Sequence, residues 1–124
     1  VLVLHINHPQ EIDAEVTTAC QQLRQAGITL LNQAVLLRNI NDNKTVQKIL
    51  SETLFSCGVL PYYLFVLDAV AGAAHFDVDD LQAQRLVGEL QSELPGYLVP
   101  RLAREIPGRP SKTLLLPLQP GSGN

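Results

Sequence analysis

The chain has 124 residues and a formal net charge of −3, with 46% hydrophobic and 17% charged residues. This composition suits one globular domain with its own core. Acidic and basic residues are interspersed, which argues against a nucleic acid bound to a basic face. No apolar run reaches the roughly 18 residues of a membrane span, and no signal peptide is recognisable. We therefore expect a cytoplasmic protein that binds neither nucleic acid nor membrane.

Strand-like and helix-like segments alternate along the chain. β-rich apolar runs predict strands at residues 1–4, 28–37, 60–67 and 97–106. Apolar residues at three- and four-residue steps predict helices at residues 10–26, 45–56 and 79–93. Gly27 and Gly58 follow the first two helices as expected of C-terminal caps, and Asp79 or Asp80 can cap the third.

This alternation predicts an α/β fold with right-handed crossovers and a parallel sheet. Three βα units are too few to close an eight-stranded barrel, so the pattern is compatible with part of a barrel. We expect one domain over residues 1–118 and a disordered tail over 119–124. The chain opens inside a strand-like run without Met, so we also expect a missing upstream segment.

Polar residues at the carboxyl ends of the predicted strands are the candidate site, because ligands gather there in parallel α/β folds. The candidates with the clearest positions are His5, Gln33, Asp68, Glu105 and Lys112. Each also has a structural explanation. His5 and its neighbours could satisfy loop backbone groups, Gln33 could be a buried amide, and Lys112 could be a solvated charge. Asp68 follows an apolar strand, where a charge is costly unless it has a partner.

The two cysteines, Cys20 and Cys57, lie far apart and fit no metal-ligand spacing. We interpret them as reduced, partly buried thiols, with a disulfide or a metal site as the less favoured alternative. No catalytic triad motif or phosphate-binding loop is present. The residues alone therefore predict a fold class and a candidate binding site along the carboxyl ends of the strands. They do not predict a reaction.

Six short segments occur in one order along residues 1–116: HINHPQEI at 5–12, LNQAVLLRNIND at 31–42, PYY at 61–63 (closing on Asp68), AAHF at 73–76, GYLVP at 96–100 and PSKT at 110–113. Together they resemble the radical-SAM lysine 2,3-aminomutase family. The ending from Leu102 to Lys112 is more similar to the branch that makes β-lysine for elongation factor P than to the lysine-fermentation enzymes.

The resemblance implies the C-terminal half of a partial (β/α)6 TIM-like barrel, with parallel strands and alternating helices. It implies an isomerase that converts L-lysine to β-lysine by a radical 1,2-amino shift. The cofactors implied are pyridoxal phosphate, S-adenosylmethionine and a [4Fe–4S] cluster, which carry the difficult chemistry while the protein supplies position and charge.

The resemblance also assigns roles to the candidate residues. Lys112 matches the lysine that forms the internal aldimine with pyridoxal phosphate. Asp68 matches a carboxylate that binds the ε-ammonium of the substrate, and Glu105 stands at the place of a second one, where the fermentation enzymes have aspartate. His5 and Gln33 match residues near the S-adenosylmethionine ribose.

Three departures from the family pattern matter. Asn43 stands where fermentation enzymes have a zinc-binding cysteine, so we expect no metal ligand in this chain. Asn39 replaces the usual glycine, and asparagine is the next best residue if φ is positive. The C-x-x-x-C-x-x-C cluster motif is absent, and neither cysteine can supply it. The cluster ligands and the N-terminal half of the enzyme would then lie outside the chain, which alone should be inactive.

An open sheet edge would remain where upstream strands belong, so we expect the isolated chain to self-associate through it. Two alternatives to an isomerase fragment stay open. One is a non-catalytic half-barrel module that binds lysine or pyridoxal phosphate, and the other is a structural or interaction protein on the same scaffold.

Overall fold

A computed structural model describes residues 1–66, 76–104 and 112–119 of the chain. The strands β1 to β5 span Leu2–Leu4, Leu30–Leu36, Val59–Val66, Arg101–Arg104 and Thr113–Leu114. The helices α1 to α3 span Ala14–Gln25, Lys44–Ser56 and Asp80–Glu93. None of the helices in this described part is long and apolar enough to cross a membrane.

The strands form one sheet in the order β1-β2-β3-β4-β5. The first four strands are parallel, and β5 runs antiparallel to β4. This confirms the predicted α/β class with alternating strands and helices. Each strand lies beside its predecessor in the chain, as in a barrel, whereas a doubly wound sheet reverses its strand order.

The sheet has two different faces because side chains alternate along each strand. Residues of β2 such as Leu30 and Leu36 are buried, and they form one core with the helix residues Leu54 and Val87. We call this helix-covered side the back face. The intervening residues of β2, including Gln33, are half-buried and define the front face. The helices therefore occupy one side of the sheet.

Each helix begins at a polar residue that accepts a hydrogen bond from the first turn. Asp13 caps α1 through the Val16 amide, and Asp79 caps α3 as predicted. The expected start of the first helix at residue 10 is wrong. Residues Pro9–Glu11 form a separate 3₁₀ turn, since the caps at residues 8 and 13 break the segment into two.

The prediction of a continuous extended segment over 97–106 also needs correction. Residues Gly96–Leu98 form a 3₁₀ turn, and β4 begins only at Arg101. The strand β5 has two residues, too few for a periodic signal, and no sequence pattern predicts it. Residues 105–111 and 120–124 lie outside the described residues, so the tail over 119–124 stays a prediction.

The segment after β5 packs on α3 at a glycine. The Leu118 amide donates to the Gln84 carbonyl (3.0 Å), and the Gln84 side chain donates to the Leu116 carbonyl (2.9 Å). A Cβ added at Gly88 would lie 1.5 Å from the Leu118 carbonyl oxygen. Close approach of this backbone therefore requires glycine at position 88.

Candidate functional site

A side-chain amide extends the sheet beyond the short strand β1. The Asn32 Oδ1 atom accepts from the Ile6 amide (2.9 Å), and its Nδ2 donates to the Ile6 carbonyl (3.0 Å). The Asn7 side chain then accepts from the Val35 amide (2.9 Å). The loop after β1 is thereby held along β2, and His5 lies in this loop with an exposed side chain.

A second buried amide joins this loop to the one after β2. Asn41 is fully buried. Its side chain accepts from the Leu37 amide (2.7 Å) and donates to the carbonyls of Asn7 (2.8 Å) and Val35 (2.9 Å). Asn39, between Leu37 and Asn41 in the chain, has a φ of 67°, a left-handed conformation that asparagine tolerates better than most residues other than glycine. These bonds set the shape of the rim at the carboxyl ends of β1 and β2.

A β-bulge decides which tyrosine of β3 lies on the front face. Asn32 pairs with Pro61, but Gln33 pairs with Tyr63. Tyr62 is therefore the extra residue, and Tyr63 lies beside Gln33. Phe65 lies two residues further on the same face, and its ring stacks with that of Tyr63 at 5.3 Å between centroids and 20° between planes. Neither ring was singled out by the sequence, although their i, i+2 spacing in a strand was the available signal.

Lys112 directly precedes β5, at the edge of the sheet opposite β1. Its side chain lies on the front face. Its Nζ atom lies 5.5 Å from the Tyr63 ring centroid and 5.7 Å from that of Phe65, within the range of cation–π contacts. The side chain is exposed, and among the described residues no carboxylate forms an ion pair with it. The structure thus brings an amine, two rings and the Gln33 amide to one face.

Comparison with known proteins relates the chain to enzymes named 2,3-aminomutases. It is 56% identical over 115 residues to the L-lysine 2,3-aminomutase of Escherichia coli, covering 93% of this chain and 34% of that protein. It is 54% identical over 114 residues to the L-lysine 2,3-aminomutase of Haemophilus influenzae, covering 92% and 34%. Over nearly its whole length, the chain is similar to members of the lysine 2,3-aminomutase family.

The chain spans about a third of the length of these curated relatives. A glutamate 2,3-aminomutase of Clostridioides difficile is also similar, with 38% identity over 113 residues, 91% of this chain and 27% of that protein. The proteins similar to this chain are therefore named for two different amino acids, lysine and glutamate. A scan against protein-family models found no match.

The structure brings together only part of the residues that the family resemblance assigns. Gln33 and Lys112 share the front face, and His5 lies on the neighbouring rim, one residue beyond the Leu4–Asn32 pair. Asp68 and Glu105 lie outside the described residues. The neighbours of His5 do serve the loop backbone: His8 accepts from the Gln10 amide (3.1 Å), as Asn7 does from Val35. The ligand roles of the five residues stay predictions.

The cysteines lie in the core that the helices form with the sheet. Cys20 and Cys57 are both free and buried, and the Thr17 hydroxyl lies 3.6 Å from the Cys57 sulfur. Burial raises the pKa of the Cys20 thiol, and the neighbouring Cys57 raises it further. Within the described ranges, no group of three or more His, Cys, Asp or Glu side chains could hold a metal ion. These thiols do not fit as cluster ligands.

Proposed function

We propose that the chain forms the amine-bearing part of a cytoplasmic L-lysine 2,3-aminomutase, an isomerase that makes β-lysine for the modification of elongation factor P. The observation that carries the proposal is the position of Lys112. Its amine lies over the Tyr63 and Phe65 rings on the front face of a mostly parallel sheet, in a chain that is more than half identical to two L-lysine 2,3-aminomutases.

The surroundings of Lys112 fit a pyridoxal phosphate site. An amine that attaches to the cofactor aldehyde must be reachable and must be able to lose its proton. Lys112 is exposed, and no carboxylate in the described part of the chain holds it in an ion pair. Pyridoxal phosphate would carry the migrating amino group, and S-adenosylmethionine with a [4Fe–4S] cluster would supply one-electron chemistry.

Two carboxylates would select the substrate. Glu105 follows Arg104, the last residue of β4, and Asp68 comes two residues after Val66, the last residue of β3. Val66 and Arg104 are register partners, so both acids follow neighbouring strand ends. Two acids around one ammonium would make strong ion pairs in a dry pocket. They would favour lysine over glutamate, the substrate named for the Clostridioides difficile relative.

This chain would supply only part of the contacts to S-adenosylmethionine, and residues outside it would complete the site. His5 and Gln33 are our candidates for contacts to S-adenosylmethionine, because they lie at the carboxyl end of β1 and on the front face of β2. The described residues do not fit the iron–sulfur cluster, so we assign no step through it to them. We expect the isolated chain to be inactive.

The test uses the whole protein that contains this chain. It is incubated without oxygen with L-lysine, S-adenosylmethionine, pyridoxal phosphate and a reductant, and β-lysine is measured by chromatography. We expect β-lysine from the parent and none from Lys112→Arg, which keeps the charge but cannot attach the cofactor. Asp68→Ala should lose lysine turnover while S-adenosylmethionine binding survives. Turnover of glutamate but not lysine would contradict the substrate assignment, and an active Lys112→Arg variant would contradict the role of Lys112.

A further inference from the structure

We infer that Tyr63 and Phe65 are positioning residues whose rings form a seat for the Lys112 amine. The inference deepens the proposed function, on which the role of Lys112 rests. It starts from the two distances of 5.5 Å and 5.7 Å between Nζ and the ring centroids. One amine that lies within contact range of two stacked rings is held by both of them, and not by a chance approach to one edge.

The seat is built into the middle of the sheet. Tyr63 and Phe65 are alternate residues of β3, which pairs with β2 on one side and β4 on the other. The pairing of the strands fixes the position of Phe65, which lies between Val35 of β2 and Ala103 of β4. The ring of Tyr62 lies 4.3 Å from that of Tyr63 and limits its movement. The two rings therefore have little freedom, unlike the lysine.

Lysine needs such a seat because its ammonium is carried on a flexible stem with four carbons. A cation–π contact at a partly exposed site favours the bound position by about two- to fivefold per ring. The other two lysines have different partners: Lys44 and Lys48 lie 2.8 Å and 3.6 Å from Glu93 carboxylate oxygens. They are internal controls, since their amines lie away from the rings.

Seating has a consequence for binding at this face. The rings hold the lysine side chain as its ammonium, which keeps it beside an aldehyde bound above β3. The amine then releases its proton to solvent before it attacks the aldehyde. Tyr63 and Phe65 would then act through Lys112 and need not react themselves. Removing either ring should release the amine without breaking the sheet, because leucine keeps an apolar side chain at the same place.

The first test detects the seat directly. The lysines of the full 124-residue chain receive isotope-labelled methyl groups by reductive methylation, which preserves their positive charge. The Lys112 signal, assigned with Lys112→Arg, should show a ring-current shift that Lys44 and Lys48 lack. Phe65→Leu and Tyr63→Leu should each reduce the shift, and together abolish it. The ring-conserving variants Phe65→Tyr and Tyr63→Phe should keep it, with circular dichroism checking that all variants are folded.

The second test separates the seat from the proposed function. The same substitutions, made in the whole protein that contains this chain, are tested with pyridoxal phosphate and borohydride. Trapping at Lys112 is compared with trapping at Lys44 and Lys48 by peptide mass spectrometry. We expect preferential trapping at Lys112 and a two- to fivefold lower ratio in each leucine variant. No preference at Lys112, with a ring-dependent shift, would refute the cofactor role and keep the seat. Equal trapping in all variants, with no shift, would refute the seat and keep the cofactor role.

Discussion

Replacing Gly88 by alanine should destabilise the protein, although the same change in an ordinary helix stabilises it. Alanine is favoured over glycine inside a helix by about 1 kcal/mol. At this position the new Cβ would meet the Leu118 carbonyl oxygen at 1.5 Å, and the obstacle is backbone, which cannot rotate away. The segment after β5 must therefore leave α3.

The loss can be worked out from the contacts of that segment. Two hydrogen bonds to Gln84 break, at about 0.5–1.5 kcal/mol each. Leu115 packs against the core, and losing its partial burial costs about 1 kcal/mol. After subtracting the gain in helix propensity of about 1 kcal/mol, we expect Gly88→Ala to lower the free energy of unfolding by about 1–3 kcal/mol.

Urea unfolding followed by circular dichroism measures this difference. Gly96→Ala is the matched control, because a Cβ at position 96 would meet no atom within 4 Å, and its midpoint should stay near that of the parent. Limited proteolysis should cut the end of the Gly88→Ala chain first. A variant at position 88 that is as stable as the parent, or more stable, would show that the segment does not dock on α3.

Three further predictions concern the rim, the helix pair and the sheet edge. Asn41→Ala leaves three backbone groups without their partners and should cost about 3 kcal/mol, against about 1 kcal/mol for the exposed cap variant Asn43→Ala, both read from urea unfolding; equal losses would contradict the role of the buried amide. The hydrogen bond from Lys44 lowers the pKa of the Glu93 carboxyl, so the stabilisation by this pair is present above the unfolded pKa of the carboxyl. It is lost as pH falls through the lowered folded pKa, and the acid dependence of the unfolding midpoint at low salt should be weaker in Glu93→Gln. Among the described residues β1 pairs only with β2, and Leu2 is 40% exposed; we expect concentration-dependent association in sedimentation that Leu2→Lys reduces, whereas a monomeric parent at high concentration would contradict self-association through this edge.

Local signals predicted most of the elements correctly. The third helix, Asp80–Glu93, begins within one residue of the predicted start and ends at the predicted residue, because Asp79 caps it and its apolar residues keep one spacing. At Asn39 the sequence showed only that the residue type tolerates a positive φ, and the structure supplied the angle itself. Errors occurred where two local signals competed. The segment from residue 10 carries apolar periodicity, but the caps at His8 and Asp13 divide it into a 3₁₀ turn and a helix.

The front face depended on contacts between distant parts of the chain. The pattern of β3 alone cannot tell whether Tyr62 or Tyr63 lies beside Gln33, because the bulge at Asn32 and Gln33 shifts the register. The contact between Lys112 and the two rings joins residues almost fifty positions apart. No local pattern contains such a contact, since it exists only once β3, β4 and β5 are assembled.

The sequence by itself determined the fold class, the family and the position of Lys112 near the end of a motif, because periodicity, caps and ordered short motifs are local properties. Only the tertiary structure decided that the amine of Lys112 lies over Tyr63 and Phe65 and that Gly88 admits the backbone of Leu118. Both facts depend on distances between segments that are separate in sequence, and packing alone sets those distances.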